Sequence, residues 1–241
     1  MRVLLIADVH ANWEALLSLQ RAEPRPDAVL FAGDVVGYGP DPANCARWLM
    51  ANTAGVRGNH DEAVGQGGSG DAGAPVRGIP PELEEAARET LLYSRAFLSP
   101  DDLAGLRRWP LSVTSAFGGA RFYLVHGTPA DPLAGQLNPA TCPEAGLHAM
   151  FDVIRAEVIV LGHTHLPAIR RFGDRLIVNP GSLGQPRYGL PDATYAVWED
   201  GDMRIRHLHY DHGAVARKLR LAALSPEVIE QLSGIVETGL L

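Results

Sequence analysis

Short unbroken apolar runs alternate along the chain with longer segments in which apolar residues recur every three or four positions. Val3-Leu4-Leu5-Ile6-Ala7 is the first such run, and its length and branching predict a strand buried on both faces. Trp13, Leu16, Leu17 and Leu19 then form an apolar stripe on a helix that Asn12 is placed to cap. Pro24 and Pro26 break the chain before a second run, Ala28-Val29-Leu30-Phe31-Ala32, which ends in Gly33-Asp34. Strand, helix and strand at this spacing make a βαβ unit and predict an α/β architecture with parallel pairing.

Further along, residues 43–50 predict a second helix, and residues 53–57 a short strand leading into Gly58-Asn59-His60-Asp61. Over residues 65–81 Gly, Pro, Ser and Ala dominate, which predicts a mobile surface loop and not a domain linker. Residues 83–97 and 101–108 read as helices. After Pro110 the pattern turns strand-rich, with candidates at 111–115, 121–125, 158–161, 168–172, 175–178, 194–198 and 203–209. Gly118-Gly119, Gly173-Asp174 and Asp200-Gly201 between them read as hairpin turns. Helices are expected over 144–155 and 226–237. This order predicts two sheets packed face to face with helices outside both, in a single domain spanning residues 1–241.

Composition narrows the function classes. The formal net charge of −7 argues against a broad electrostatic grip on nucleic acid, which needs a basic face. A local cationic patch, or metals that bring their own positive charge, stays open. Cys45 and Cys142 are the only cysteines, with no zinc knuckle or CxxC pair around them, and both read as small apolar core residues. One disulfide would be unusual in a reducing compartment. No run approaches the roughly 20 apolar residues of a membrane span, and the N-terminal run is too short for a signal-peptide core, so a cytoplasmic protein is expected.

The chemistry gathers where the buried strands run out. Asp8-Val9-His10, Gly33-Asp34, Gly58-Asn59-His60-Asp61, Val125-His126-Gly127 and Gly162-His163-Thr164-His165 together supply carboxylates, an amide oxygen and imidazoles. That set suits two adjacent divalent metals. Taken singly, each cluster has a plainer reading: a helix cap, an ordinary turn, a hydrogen-bonded core histidine. Their joint occurrence decides for chemistry. An extended strand end would send Asp8 and His10 to one side, and likewise His163 and His165. Glycines 33, 58, 127 and 162 would permit tight turns and close backbone approach. His207, His209 and His212 form a further group, but no aspartate set accompanies them in the sequence, which counts against a metal role.

The series DxH, GD, GNHD, H and GHTH resembles the calcineurin-like metallophosphoesterase superfamily, over residues from about 8 to 187. The resemblance implies a four-layer αββα sandwich of two mixed sheets and a two-metal site. Asp8, His10, Asp34 and His165 would hold one ion. Asp34, Asn59, His126 and His163 would hold the other, with Asp34 bridging. His60 would be the non-ligand histidine that protonates the leaving oxygen or steadies the phosphoryl group. A metal-bridging hydroxide would attack phosphorus in line. Manganese is favoured, while mixed nitrogen and oxygen donors also suit Fe, Co, Ni or Zn.

One departure bears on substrate. Protein phosphatases of the superfamily carry GDxxDRG, whereas Gly37 and Tyr38 stand here where that Asp and Arg would be. The loss of this clamp counts against a phosphoprotein phosphatase. The stretch GDVVGYGPDP, with Asn179-Pro180-Gly181-Ser182 and Pro186-Arg187, is similar to a small prokaryotic phosphodiesterase-like branch. Arg187 is the candidate anion contact. Tyr38 and Tyr188 are candidates to stack on a base or aryl group. The expected activity is hydrolysis of a phosphodiester or small nucleotide. A phosphomonoesterase acting on metabolites is one alternative. A binding scaffold with vestigial catalysis, as in a retromer subunit of the superfamily, is the other, although every ligand position and His60 are filled here. No membrane or extended nucleic-acid partner is expected, and an edge strand near His207 could pair in an oligomer.

Overall fold

The computed structural model of the protein describes residues 1–66 and 75–241. Among these, the first half contains β1 (Arg2–Ile6), α1 (Trp13–Ala22), β2 (Ala28–Phe31), α2 (Pro42–Asn52), β3 (Ala54–Gly55), α3 (Asn59–Gln66), α4 (Glu84–Phe97) and α5 (Pro100–Arg108). The β-rich half follows with β4 (Ser112–Phe117), β5 (Ala120–Val125), α6 (Glu144–Phe151), β6 (Val158–Val160), β7 (Ala168–Phe172) and β8 (Arg175–Asn179). It closes with β9 (Ala193–Glu199), β10 (Asp202–Leu208), α7 (His212–Leu219) and α8 (Pro226–Thr238).

The strands form two mixed sheets of five, in the orders β10-β9-β1-β2-β3 and β4-β5-β6-β8-β7. In the first, β1, β2 and β3 run parallel; in the second, β5, β6 and β8 do. The period of two along each strand sorts side chains between layers. Val3 and Leu5 of β1 enter the core between the sheets, where they meet Phe122, Leu124, Val158 and Val160. Leu4 and Ile6 face the other way and pack with Leu16 and Leu19 of α1 and Leu49 of α2. On the far side, Ile159 and Ile177 pack with Leu147 and Phe151 of α6. The result is the expected four-layer αββα sandwich. Each fully buried leucine or isoleucine contributes about 1.5–3 kcal/mol of burial energy to it.

Local signals explain most boundaries. Asn12 caps α1 by accepting the Ala15 N–H at 3.0 Å, as expected. Ser99 and Asp102 form a reciprocal capping box that starts α5. Four expectations need correction. The strand expected over 53–57 shrinks to Ala54–Gly55, and Arg57 N–H leaves β2 to donate to Pro110 O at 3.1 Å. α3 itself includes Gly65 and Gln66, so the expected loop begins later; its residues 67–74 lie outside the described residues. α6 stops at Phe151 and not at residue 155. α7 was not expected at all, although Asp211 caps it at 2.8 Å and Val215, Ala216 and Leu219 supply a buried stripe. Of the cysteines, Cys45 is buried and Cys142 half-buried, and both are free thiols.

Candidate metal centre

The parallel strands of both sheets end at one edge of the sandwich, and the polar clusters meet there. Backbone bonds carry the register beyond the strands: Asp8 N–H donates to Gly33 O at 2.9 Å, and Gly162 N–H to His126 O at 2.9 Å. Asp8, His10, Asp34, Asn59, His60, His126, His163 and His165 are all buried. The expected close approach at glycine is real. A Cβ on Gly58 would collide with Asp34 Oδ1, and one on Gly33 would sit 2.8 Å from His126 Nδ1.

The way the side chains converge differs from expectation. β1 ends at Ile6 and β6 at Val160, ahead of the motif residues. Asp8, His10, Asp34, His163 and His165 instead adopt left-handed backbone, with φ of 52°, 42°, 62°, 69° and 60°. Each such non-glycine residue costs on the order of 1–3 kcal/mol and persists only where its surroundings over-determine it. Here tight left-handed turns, not the alternation of a strand, aim the ligand candidates inward.

Hydrogen bonds fix the histidine tautomers. Nδ1 of His10 donates to Val36 O at 3.0 Å, Nδ1 of His126 to Ala32 O at 2.8 Å, and Nδ1 of His165 to Gln185 O at 2.6 Å. A carbonyl can only accept, so in each neutral ring Nε2 keeps its lone pair. Those nitrogens converge: His10 Nε2 lies 3.1 Å from His165 Nε2, and His165 Nε2 lies 3.5 Å from Asp8 Oδ1. Asp34 Oδ2 lies 3.8 Å from His10 Nε2 and 3.3 Å from His126 Nε2. Asn59 donates through Nδ2 to Arg77 O at 2.6 Å, which turns its Oδ1 toward His126 Nε2 at 2.9 Å. Asp8 Oδ2 and His163 Nε2 are buried without a partner. Such a congregation of lone pairs is costly unless a cation lies among them, and the donor set therefore fits divalent metal.

Electrostatics push the buried groups in different directions. Burial pushes Asp8 up to about 8, against the pull of His126. Burial also drives His60 down to about 4 and His163 down to about 3. His126 goes the other way, to about 9, because the Asp34 carboxylate beside it outweighs the cost of burial. A buried carboxylate held upward by desolvation gains most from a metal charge placed against it.

Several residues brace the centre without having been singled out. Asp61 accepts four backbone N–H groups, from Asp34, Val35, Val36 and Gly58, and so ties the turn after β2 to the turn after β3. It was visible in the GNHD cluster but carried no assigned role. Ser182 Oγ donates to Asp8 O at 2.7 Å, and Asn179 Nδ2 to Gly162 O at 2.8 Å, so the Asn-Pro-Gly-Ser turn supports both sheets' contributions. His60 opens α3 beside Asn59, and its N–H donates to Asp34 Oδ1 at 2.9 Å. Tyr38 packs 4.8 Å from the His10 ring and 4.6 Å from the His60 ring. Only 2% exposed, with its hydroxyl buried as well, it presents no stacking face to a base or aryl group. The Arg187 guanidinium lies 5.6 Å over the Tyr38 ring and donates from Nε to Gln185 Oε1 at 3.1 Å. Tyr188 lies apart from the centre, donating to Asp192 O at 2.7 Å.

A sandwich of this layering, with inward-turned imidazoles and buried carboxylates at one edge, defines a metal-dependent hydrolase. Residues 1–202 match the profile of the calcineurin-like phosphoesterase superfamily domain, and the chain belongs to that superfamily. It is therefore a metal-dependent phosphoester hydrolase by family. It is similar to a metallophosphoesterase from Sphaerobacter thermophilus, with 27% identity, a TM-score of 0.79 and coverage of 97% and 98% of the two chains. A hypothetical protein from Pyrococcus horikoshii shares the fold at a TM-score of 0.83 and 22% identity, covering 99% and 98%. An uncharacterised protein of Methanocaldococcus jannaschii is 26% identical over 229 residues, 87% of each chain. Among the described residues no helix is long and apolar enough to cross a membrane.

Proposed function

We propose that the protein is a dinuclear phosphoesterase that hydrolyses a phosphodiester or a small nucleotide. The observation that carries this reading is the position of Asp34 Oδ2 between His10 and His126, each with its Nδ1 spent on a carbonyl. Asp8, His10, Asp34 and His165 would hold one ion, and Asp34, Asn59, His126 and His163 the second. Bound there, the ions would lower the pKa of water and neutralise charge on the phosphoryl oxygens. Manganese is the favoured occupant, with Fe, Co, Ni and Zn compatible with the same donors.

The remaining roles fall to the chain. His60, buried against the His10 and Tyr38 rings, would donate a proton to the leaving oxygen or steady the phosphoryl group. Arg187, with Tyr38 packed beneath its guanidinium, would contact the phosphate. A cleft of about 340 Å³ lies between His163 and Arg187, walled by Pro80, Leu137 and Leu166, and it suits the apolar body of a small ester or nucleotide. The diester preference rests on residues 37 and 38, where Gly and Tyr stand in place of the Asp and Arg of the phosphoprotein phosphatases. A Cβ at Gly37 would crowd His60 Nδ1, which fits the absence of an acidic side chain at this position. Residues 1–241 are taken as one domain, since α8 packs into the same core as β1.

The test is hydrolysis of bis-p-nitrophenyl phosphate beside p-nitrophenyl phosphate, on metal-stripped protein with Mn²⁺ restored. Metal-dependent diester turnover exceeding monoester turnover supports the reading. A preference for the monoester overturns the substrate assignment, and turnover indifferent to metal overturns the whole.

A further inference from the structure

A second group of metal-ligating side chains lies away from the sheet edge. One donor atom each from Asp192, His209 and His212 falls within 4.8 Å of the others. The sequence brings the two histidines together at the start of α7 but leaves Asp192 about twenty positions upstream. It is the fold, through the antiparallel pairing of β9 with β10, that delivers the carboxylate. An aspartate thus stands beside these histidines in the folded chain.

The contacts describe a partly organised site. Asp192 Oδ1 lies 3.1 Å from His209 Nδ1. Two donors on one tetrahedral ion with bonds of about 2.0–2.1 Å stand about 3.3 Å apart, so this pair already has ligand spacing. His212 donates through Nε2 to Pro191 O at 2.9 Å, which orients its ring and leaves Nδ1 with the free lone pair. The His209 and His212 rings lie edge to face at 5.0 Å. His207 takes no part; its Nδ1 bonds the Tyr188 hydroxyl at 3.0 Å. With its side chain 80% exposed, His209 is free to close the last of the distance by rotation.

We propose that Asp192, His209 and His212 bind one divalent transition-metal ion, of the zinc or copper type that imidazole favours, with remaining positions filled by water. The ion would fasten the segment 188–192, which continues directly from Arg187, to β10 and α7. It is separate from the sheet-edge centre and does not depend on that centre's chemistry.

Metal stoichiometry tests the proposal on the intact chain. Wild type equilibrated with Cu²⁺ is expected to bind one ion more per chain than His209→Ala, and the extra ion's spin signal should show splitting from two nitrogens. Asp192→Asn should weaken that ion at least tenfold. Because residue 209 is so exposed, the alanine leaves the fold intact. Equal stoichiometry in wild type and His209→Ala overturns the site, as does a dissociation constant in the millimolar range.

Discussion

Asp61→Asn is the sharpest perturbation of the centre that replaces no candidate ligand. Oδ2 accepts the N–H groups of Asp34 and Gly58 at 2.9 and 3.0 Å, and Oδ1 those of Val35 and Val36 at 2.9 and 3.3 Å. Asparagine keeps the size and one oxygen but places an NH₂ against the other pair of donors. Two buried N–H groups then lose their acceptor whichever way the amide turns. At about 1–3 kcal/mol each, the loss comes to about 2–6 kcal/mol. A typical domain has only about 5–15 kcal/mol of stability, so the change is large. Urea unfolding of both proteins in the presence of chelator measures it without any contribution from bound metal. Mn²⁺ affinity should also fall at least tenfold, because the turn carrying Asp34 is one of the two that Asp61 ties down. If Asp61→Asn unfolds within about 1 kcal/mol of wild type and binds Mn²⁺ equally well, the bracing role is refuted.

Other outcomes follow from the same geometry. His60→Ala should lower turnover at least a hundredfold with metal content near normal, measured by elemental analysis; loss of the metals instead would remove it from the proton-donor role. Gly58→Ala should weaken metal binding, since the new methyl meets Asp34 Oδ1, and calorimetric titration with Mn²⁺ would show whether it does. Hydrogen bonds from Arg2, against partial burial and with help from Tyr195, hold Glu23 below the ordinary carboxylate range. A depressed folded-state pKa stabilises fully above the unfolded value and is lost as pH falls through the folded one. Glu23→Gln should therefore lose less stability than wild type between roughly pH 5 and 3, and parallel decline of the two would show that the pair contributes nothing.

The layers were legible because burial on both faces leaves an unmistakable mark: Val3–Ala7 and Ala28–Ala32 have no polar position for solvent to claim. The members of the centre were legible because histidines cluster at strand ends only in company. Their backbone was not. Nothing in Asp8-Val9-His10 announces left-handed turns, since the strain is borne by contacts with Gly33, Asp34 and Val35 in the turn after β2. Asp61 escaped assignment for a related reason, as its partners are backbone groups and leave no trace in side-chain identity. α7 was obscured by its own ends: Gly213 weakens the helix pattern, and the histidines before it drew attention as a metal cluster.

The contact between His10 and His165 joins positions 155 residues apart, and His126 meets Ala32 across 94. Neither sheet alone holds a complete set of donors. Closing loops of that length comes late, after local helices and hairpins have formed. Metal is thus a poor guide for the folding chain, which must reach its finished shape, left-handed turns included, without one. Metal bound at the proposed site would act by mass action on the completed sandwich, holding its two sheets together at their shared edge. Cells short of metal would then accumulate a folded apoprotein ready to be loaded, not a pool of unfolded chain.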